Sequence, residues 1–257
     1  SQPVVAERPM YFNYQGPLGR DWAGGHDVVG IVEPGRVYYF AEGATYQNFD
    51  EWLCLANPNQ NAITVEASYM LGSGEVVRRS YSVEAERRKT VNVNSEVGPD
   101  QDVSVSLVSS DRFVAERPMY FNYHGRRGYS YAGGHDVMGA TRASTEFYFA
   151  EGYTGPGFDE WLCILNTGDR PAGLTVTYLL AGGGTITRKH RAEAHSRYTI
   201  YVNDDAGDGL ELSVEIKSDV PVIAERPMYF RQGGQRTGGH DVVGFTPDYQ
   251  EGSPPSW

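Results

Sequence analysis

The chain has 257 residues and a formal net charge of -11, from 33 acidic and 22 basic side chains. Binding to nucleic-acid phosphates needs clustered Lys and Arg, so this charge balance argues against a nucleic-acid partner. A hydrophobic fraction of 40%, with 31 Gly and 18 Tyr, predicts a folded and turn-rich protein. No stretch approaches the roughly 20 consecutive apolar residues that span a bilayer, so we expect a soluble chain without membrane insertion.

The first predicted element is a segment that contains A-E-R-P-M-Y-F at residues 6–12 and G-G-H-D at 24–27. The seven-residue motif returns at 115–121 and 224–230, each time 109 residues later and each time followed by G-G-H-D. A repeat of this length has the size of a small domain. The chain holds three such segments but only two copies of the sequence between them. Residues 1–36 are therefore predicted to be a junction segment, with an orphan terminal strand and a G-G-H-D loop. If these residues instead begin a domain in a shifted register, the unmatched segment is 219–257.

The next period is predicted to consist of seven short strands. Hydrophobic residues alternate with polar ones, as where Ile63, Val65 and Ala67 flank Thr64 and Glu66, which indicates half-buried strands. Seven strands in roughly 100 residues, separated by glycine-rich turns, are typical of an immunoglobulin-like sandwich. The fold class is predicted to be all-β, with tandem immunoglobulin-like antiparallel β-sandwiches. The predicted strands are 37–42, 51–57, 62–71, 75–84, 88–94, 102–110 and 113–123.

The second body repeats the first. F-A-E-G and F-D-E-W-L-C, which begin at Phe40 and Phe49, recur from Phe149 and Phe158. We predict sandwich 1 over residues 37–145, and sandwich 2, with a C-terminal G-G-H-D tail, over 146–257. Cys54 and Cys163 occupy equivalent points of the two bodies. A disulfide needs Cα atoms within roughly 7 Å, so two buried free thiols are expected instead.

The proline of the repeated motif restricts where its strand can lie. Pro118 has no N–H to give to a ladder, so its strand is predicted at a sheet edge or at a break between two sheets. The Glu-Arg pair either protects that edge with charge, or Arg117 pairs with an acid of the F-D-E-W segment. We predict that the three copies form the junctions between bodies. The junction residues are Glu7, Arg8, Pro9, Tyr11, Phe12, Glu116, Arg117, Pro118, Tyr120, Phe121, Glu225, Arg226, Pro227, Tyr229 and Phe230.

The G-G-H-D loops are the strongest candidates for chemistry. Each offers an imidazole beside a carboxylate, and Glu42, Asp50 and Glu51 follow the first of them, so a divalent cation at a domain junction is one interpretation. The favoured interpretation is structural, with glycines in a tight turn and the Asp capping N–H groups. No metal site is therefore predicted, and the weak candidate ligands are His26, Asp27, His135, Asp136, His240 and Asp241.

Catalysis has less support, because every candidate His and acid of the loops is duplicated with the fold, whereas an active site needs one unique constellation. We therefore predict no enzyme, no catalytic residue and no cofactor-binding residue, and a hydrolase is the least favoured alternative. A binding module is the stronger alternative, through aromatic side chains that stack on sugar rings. Most of these aromatics are expected to pack in cores instead. They are Tyr11, Trp22, Tyr38, Tyr39, Tyr46, Tyr129 and Tyr131.

The motifs together resemble a known kind of repeat. W-L-C-L-A-N-P-N at 52–59, T-V-N-V-N at 90–94, E-R-P-M-Y-F and G-G-H-D are similar to tandem immunoglobulin-like repeats of large secreted or wall-attached bacterial surface proteins. The resemblance covers nearly the whole chain. It implies immunoglobulin-like modules and an extracellular or cell-surface location, and it implies no catalytic residues.

These observations predict an extracellular structural protein that forms a stalk, sheath or filament. The unmatched end segment favours a homo-oligomer or filament through end strands, with strand donation between subunits. The alternative is a carbohydrate- or surface-binding adhesin module, whose partner would be a cell-wall or surface glycan.

Overall fold

The N-terminal segment is a β-hairpin that belongs to neither sandwich. The computed structural model describes residues 4–15, 21–234 and 236–247, so the end of the predicted tail, 248–257, lies outside the described residues. Strand β1 (Glu7–Gln15) pairs antiparallel with β2 (Asp21–Val29). Within the described ranges β1 has no other strand partner. The same ranges contain no helix whose length and apolar character suit a bilayer crossing.

The first sandwich consists of two antiparallel sheets that share one long strand, β8. One sheet has the strand order β6-β5-β8-β3 and the other has β7-β4-β8-β9. The first half of β8 pairs with β5 and β3, and its second half pairs with β4 and β9. The strands are β3 (Gly35–Phe40), β4 (Phe49–Asn57), β5 (Ile63–Leu71), β6 (Val76–Val83), β7 (Arg87–Asn92), β8 (Val103–His124) and β9 (Ser130–Met138), with the short helix α1 (Val93–Val97) before β8.

The core of this sandwich follows from the period-two pattern of its strands. On β5 the side chains of Val65, Ala67 and Tyr69 are buried, while Thr64 and Glu66 point to solvent. The Tyr69 hydroxyl shares a 2.7 Å hydrogen bond with Tyr81 of β6, so its burial leaves no unsatisfied hydroxyl. The inner faces of both sheets thus form one apolar cluster.

The second sandwich repeats this topology one period later. One sheet has the order β13-β12-β15-β10, and the other is formed by β14, β11, the end of β15, β16 and β17. Its elements are β10 (Ser144–Phe149), β11 (Phe158–Asn166), β12 (Ala172–Leu180), β13 (Thr185–Ala192), β14 (Ser196–Tyr201), α2 (Val202–Asp205), β15 (Leu212–Glu225), β16 (Met228–Gln232) and β17 (Arg236–His240). The predicted fold class, all-β with tandem immunoglobulin-like antiparallel sandwiches, is confirmed.

Three strand predictions need correction. The strand predicted over 88–94 ends at Asn92, whose side-chain oxygen accepts a 2.8 Å hydrogen bond from the Ser95 N–H and so caps helix α1. The strands predicted over 102–110 and 113–123 are the single strand β8. The predicted domain boundaries stay predictions, although β3 and β10 begin close to them.

Of the two positions predicted for Pro118, the sheet edge is wrong, because this part of β8 lies between β4 and β9. The strand does pass from one sheet to the other, as the second position requires, but Pro118 already lies within the second sheet. Strand β8 pairs with β4 at Met119, opposite Glu51, and at Glu116, opposite Cys54, but the residues between these two pairs are not paired. Pro118 lies in that unpaired stretch, where no N–H is needed for a hydrogen bond to β4. The strand therefore accommodates the proline because its ladder with β4 is interrupted there.

Candidate functional site

The three repeated segments stack face to face and form a column that runs across both sandwiches. We call this column the hairpin stack; it consists of β1–β2, the second half of β8 with β9, and β16–β17. Strand β9 lies in the middle, against β2 on one side and β17 on the other. The approach is close because the facing residues are glycines. A Cβ added to Gly133 would lie 3.0 Å from the Gly238 Cα and 3.2 Å from the Phe121 Cζ.

The Glu-Arg pair sits at the contacts between successive hairpins. Adjacent residues of a strand point to opposite faces, so Glu116 faces the preceding hairpin and Arg117 faces the following one. Arg8 donates to Glu116 Oε2 at 2.9 Å and to Asp136 Oδ2 at 2.6 Å. One period later Arg117 contacts Glu225 and Asp241 in the same manner. At both steps, therefore, an Arg of one hairpin binds acids of the following hairpin.

Arg117 is the centre of the contact between the two sandwiches. Its Nη1 lies 2.9 Å from Glu42 Oε2 and 3.3 Å from Glu225 Oε2, and its Nη2 lies 2.6 Å from Asp241 Oδ2. It also donates to the Glu42 carbonyl. The side chain is fully buried, and a buried charge of this kind is tolerated only when it is paired and hydrogen-bonded. The guanidinium thus joins the start of the first body to the last hairpin.

The acids around Arg117 outnumber the cations. Burial raises the pKa of Glu42 to about 7 despite the opposing effect of Arg117, and burial raises that of Glu51 to about 8. Burial and the nearby Asp241 raise the pKa of Glu225 well above its usual range. For Asp241 burial is the largest single effect and opposes ionisation, but the charges of Arg117 and His135, together with hydrogen bonds from Glu225 and Arg117, outweigh it and lower the pKa. Asp241 is consequently the ionised partner, and the buried cluster holds protons at neutral pH.

Aromatic contacts reinforce each step of the hairpin stack. The rings of Phe12 and Tyr120 meet edge to face at 5.0 Å, and one period later Phe121 and Tyr229 meet at 4.8 Å. The Tyr229 hydroxyl donates to Glu42 Oε1 at 3.1 Å. These tyrosines and phenylalanines were predicted as junction residues, and the structure brings them together between successive hairpins.

A second contact between the bodies comes from Arg197 of β14. Its Nη1 donates to the carbonyls of Gly43 and Val103 in the first sandwich. Its Nη2 donates to the Cys163 sulfur at 3.3 Å, and Arg88 makes the same contact with Cys54 at 3.0 Å. Arg197 was not predicted from the sequence. An arginine also stands one repeat earlier, at Arg88, and this repetition could have pointed to it.

Both cysteines are free thiols, as expected. Cys163 is buried, but the predicted burial of Cys54 is wrong, since this side chain is only partly buried. The two positions differ because Cys163 packs in the apolar cluster between the bodies, together with Ala41, Met70 and Ile223.

The candidate metal ligands are divided among the hairpins, so no single loop forms a site. Glu42, His135 and Asp241 place one ligand atom each within 4.8 Å of one another. Among the described residues, neither ring nitrogen of His135 has a hydrogen-bond partner, and burial lowers the pKa of this imidazole to about 3. Arg117 binds both carboxylates of this group, so a cation there would compete with the guanidinium. That the chain holds no metal stays a prediction, with a divalent cation at the junction as its less favoured alternative, and metal analysis of the purified protein would test both.

The other candidate ligands are distributed over all three hairpins of the stack. His26 and Asp27 are on β2, and Asp27 is exposed. Asp136, on β9, forms an ion pair with Arg8. His240 Nε2 lies 3.6 Å from Glu151 Oε2 at the other end. Burial lowers the pKa of both His26 and His240.

The partner predicted for Arg117 within the F-D-E-W segment is wrong. Its ion pairs go to Glu42, Glu225 and Asp241, while Glu51 packs against Gly43. Glu42 was not predicted from the sequence to be a partner of Arg117, although Glu42 belongs to the repeated F-A-E-G motif.

A cleft of about 350 Å³ opens at the seam between the bodies. Trp161 and Tyr201, whose rings lie 4.4 Å apart, line it, and the Arg126 guanidinium stacks over Tyr201 at 4.7 Å. Of the aromatics named for the alternative role of stacking on sugars, Tyr46 lines this cleft. Trp22, Tyr38 and Tyr131 are buried, Tyr39 and Tyr129 are partly buried, and Tyr11 is exposed.

The chain matches no family model and no curated protein. Among solved structures it is similar to Thermotoga maritima 1070, at 20% identity over 40% of this chain and 94% of that chain, with a TM-score of 0.38. It is similar to the Anabaena sensory rhodopsin transducer at 26% identity, over 33% of this chain and 95% of that one, with a TM-score of 0.30. It is also similar to the major pilin of Streptococcus pyogenes at 8% identity, over 76% and 91%, with a TM-score of 0.22.

Proposed function

We propose that the chain is a structural module of an extracellular or cell-surface array, a stalk, sheath or filament built from immunoglobulin-like sandwiches. The observation that carries the proposal is the buried Arg117 cluster, which ties the start of one body to the last hairpin through Glu42, Glu225 and Asp241. Such a contact holds the two bodies in one orientation, as is required of a module that transmits force or sets a distance in a stalk or filament. The proposal assigns the chain no catalytic reaction.

The repetition of the contacts supports the same role. Arg8 and Arg117 each bind the acids of the following hairpin, and Phe12 and Phe121 each pack on the following Tyr. A contact that recurs with the sequence period extends an array by addition of identical units. The resemblance to bacterial surface repeats agrees with this arrangement.

Strand donation between subunits is a further part of this proposal. The strand equivalent to β1 in the second copy, the end of β8, pairs on both sides, with β4 and β9. In the described residues β1 pairs only with β2. Its other edge is the place where a strand from another subunit would add.

The location can be tested on intact cells of the source organism. Brief protease treatment of unbroken cells should release peptides of this chain into the medium, whereas a cytoplasmic marker protein should stay inside. Release of the chain only after lysis would refute the extracellular assignment.

A binding module is the second candidate, and the aromatic cleft at the seam favours it. Aromatic faces beside charged groups suit sugar rings. Wall polysaccharide should then quench the tryptophan fluorescence, and Trp161→Ala should remove the response while Trp52→Ala retains it. An unchanged spectrum on titration would exclude the cleft as a glycan site.

A further inference from the structure

The hairpin stack has two unlike ends. Its middle strand is covered on both sides, and Gly133, Gly134, His135 and Asp136 are all buried. The corresponding residues of β2 and β17 are covered on one side only, and most of them are partly or fully exposed. Each end therefore presents a face that is covered elsewhere in the same molecule.

The face of the first hairpin carries acids and a tyrosine. Glu7 and Asp27 are exposed, and Tyr11 is 87% exposed. The equivalent residues of the second hairpin are Glu116, Asp136 and Tyr120. There the preceding hairpin covers all three through Arg8 and Phe12.

The face of the last hairpin carries the complementary cation. The Arg226 side chain is 3% exposed, yet its Nε and Nη1 have no hydrogen-bond partner among the described residues. Its Nη2 lies 3.4 Å from Glu151 Oε2, a weaker contact than those of Arg117, and the Glu151 side chain is 67% exposed. A buried guanidinium with a single acceptor is costly, and this end lacks the carboxylates that the counterpart Arg117 obtains from the next hairpin.

We propose that a second copy of this chain docks head to tail on the hairpin stack. Arg226 of one copy would bind Glu7 and Asp27 of the next, and Phe230 would pack on its Tyr11. The column of hairpins then continues from β17 into β2 of the following copy. This inference rests on the proposed structural role and names the partner surface that extends the array.

A second copy is the favoured occupant because the molecule already contains the interface twice. The same residue types, Arg and Phe on one side and Glu, Asp and Tyr on the other, meet at both internal steps. The first end carries the acids Glu7 and Asp27, whereas the last end carries Arg226 with Glu151 as its one ion-pair partner among the described residues. The contact joins different surfaces of identical subunits, so it adds copies in one direction and leads to an open filament or a ring.

Charge reversal at each end tests the proposal by sedimentation velocity. The unaltered chain should associate reversibly as its concentration rises, and added salt should weaken the association. Asp27→Lys lies on the exposed face, where it does not threaten the fold, and should raise the dissociation constant about tenfold or more. Arg226→Glu should have the same effect, with circular dichroism as the control for folding.

Mixing the two variants gives the sharpest outcome. Each variant alone should stay monomeric, whereas an equimolar mixture should form complexes, because the intact Arg226 of one meets the intact Asp27 of the other. An unaltered chain that stays monomeric at every concentration, or variants that associate alone as well as the unaltered chain does, would overturn the proposal. If copies of the chain do not associate, the proposed rigid seam between the two bodies of one chain is not thereby refuted. The rigidity of the seam is tested separately, by measuring the distance between the two bodies.

Discussion

A single buried arginine shows how residues of three distant segments become one contact. Arg117 lies in a side-chain environment with four buried acids, Glu42, Glu51, Glu225 and Asp241. Short ion pairs stabilise the guanidinium. Because burial raises the pKa of Glu42 and of Glu51, protonation of these carboxyls removes part of the excess negative charge. The seam is therefore sensitive both to loss of the cation and to pH.

Replacement of Arg117 should be strongly destabilising. Arg117→Met leaves the surrounding carboxyls without their cation, and breaking a buried ion pair in this way costs about 3–5 kcal/mol. Arg8→Met is the matched control, since Arg8 makes the equivalent contacts with a side chain that is 45% exposed, and such pairs contribute about 1 kcal/mol or less. Urea denaturation at pH 8 measures both. Equal effects of the two substitutions would show that burial of the Arg117 cluster is unimportant.

The raised pKa values predict a stability that declines as the pH rises from about 4.5 to about 8. A carboxyl whose pKa is raised on folding contributes stability that is fully present below its unfolded pKa and lost as pH rises through the folded pKa. For Glu51 that window runs from its ordinary value of 4.5 to about 8. His135, with its pKa lowered to about 3, acts in the opposite direction and loses stability as pH falls below about 6.5. Stability should therefore be highest in mildly acidic solution.

Glu51→Gln provides the corresponding substitution. It should flatten the decline of the unfolding free energy between pH 5 and pH 8, whereas the exposed Glu84→Gln should leave the profile unchanged. Urea titrations across that pH range are the measurement, and a profile for Glu51→Gln that coincides with that of the unaltered chain would contradict the assignment.

At the scale of the elements, the hairpins stack through glycine. Gly133 and Gly238 let two strands approach so closely that a side chain on Gly133 would meet backbone. The same stacking places Arg and Glu of neighbouring hairpins within ion-pair distance. Close packing and charge pairing thus depend on one another along the stack.

Gly133→Ala should consequently weaken the stack. The added methyl would lie 3.0 Å from the Gly238 Cα, so β9 and β17 must move apart. We expect a loss of about 1–3 kcal/mol, as for overpacked cores. Gly182→Ala is the matched control because its Cβ would meet nothing within 4 Å. Thermal melting compares the two, and equal melting temperatures would indicate that the stack tolerates separation.

The strands were predictable from sequence because their alternation is local, as on β5. The repeat also predicted that the E-R-P-M-Y-F residues lie between bodies, and the structure places Arg117, Phe121 and Tyr229 there. The partners of Arg117 were not predictable, because Glu42 lies 75 residues earlier in the chain and Asp241 lies in the following repeat, and only the folded structure brings them near. The continuity of β8 through Pro118 was missed for a similar reason, since the gap in the β4 ladder is set by pairing and not by local propensity.

At the scale of the whole molecule, the account rests on a seam that fixes the second sandwich against the first. Contacts of three kinds cross it: the Arg117 ion pairs, the Arg197 hydrogen bonds to backbone carbonyls, and the apolar cluster around Cys163. Because they lie on different elements, they restrain both bending and rotation. A chain joined by a flexible linker would lack all three.

The distance between the two sandwiches, measured by pulsed electron paramagnetic resonance, tests this claim most directly. Spin labels at Glu84→Cys and Lys189→Cys, both exposed and one in each body, are introduced with Cys54→Ser so that the partly buried thiol does not react. We predict one narrow distance distribution, which broadens when Arg117→Met is added. A broad distribution in the chain that retains Arg117 would contradict a rigid seam and, with it, the proposed structural role.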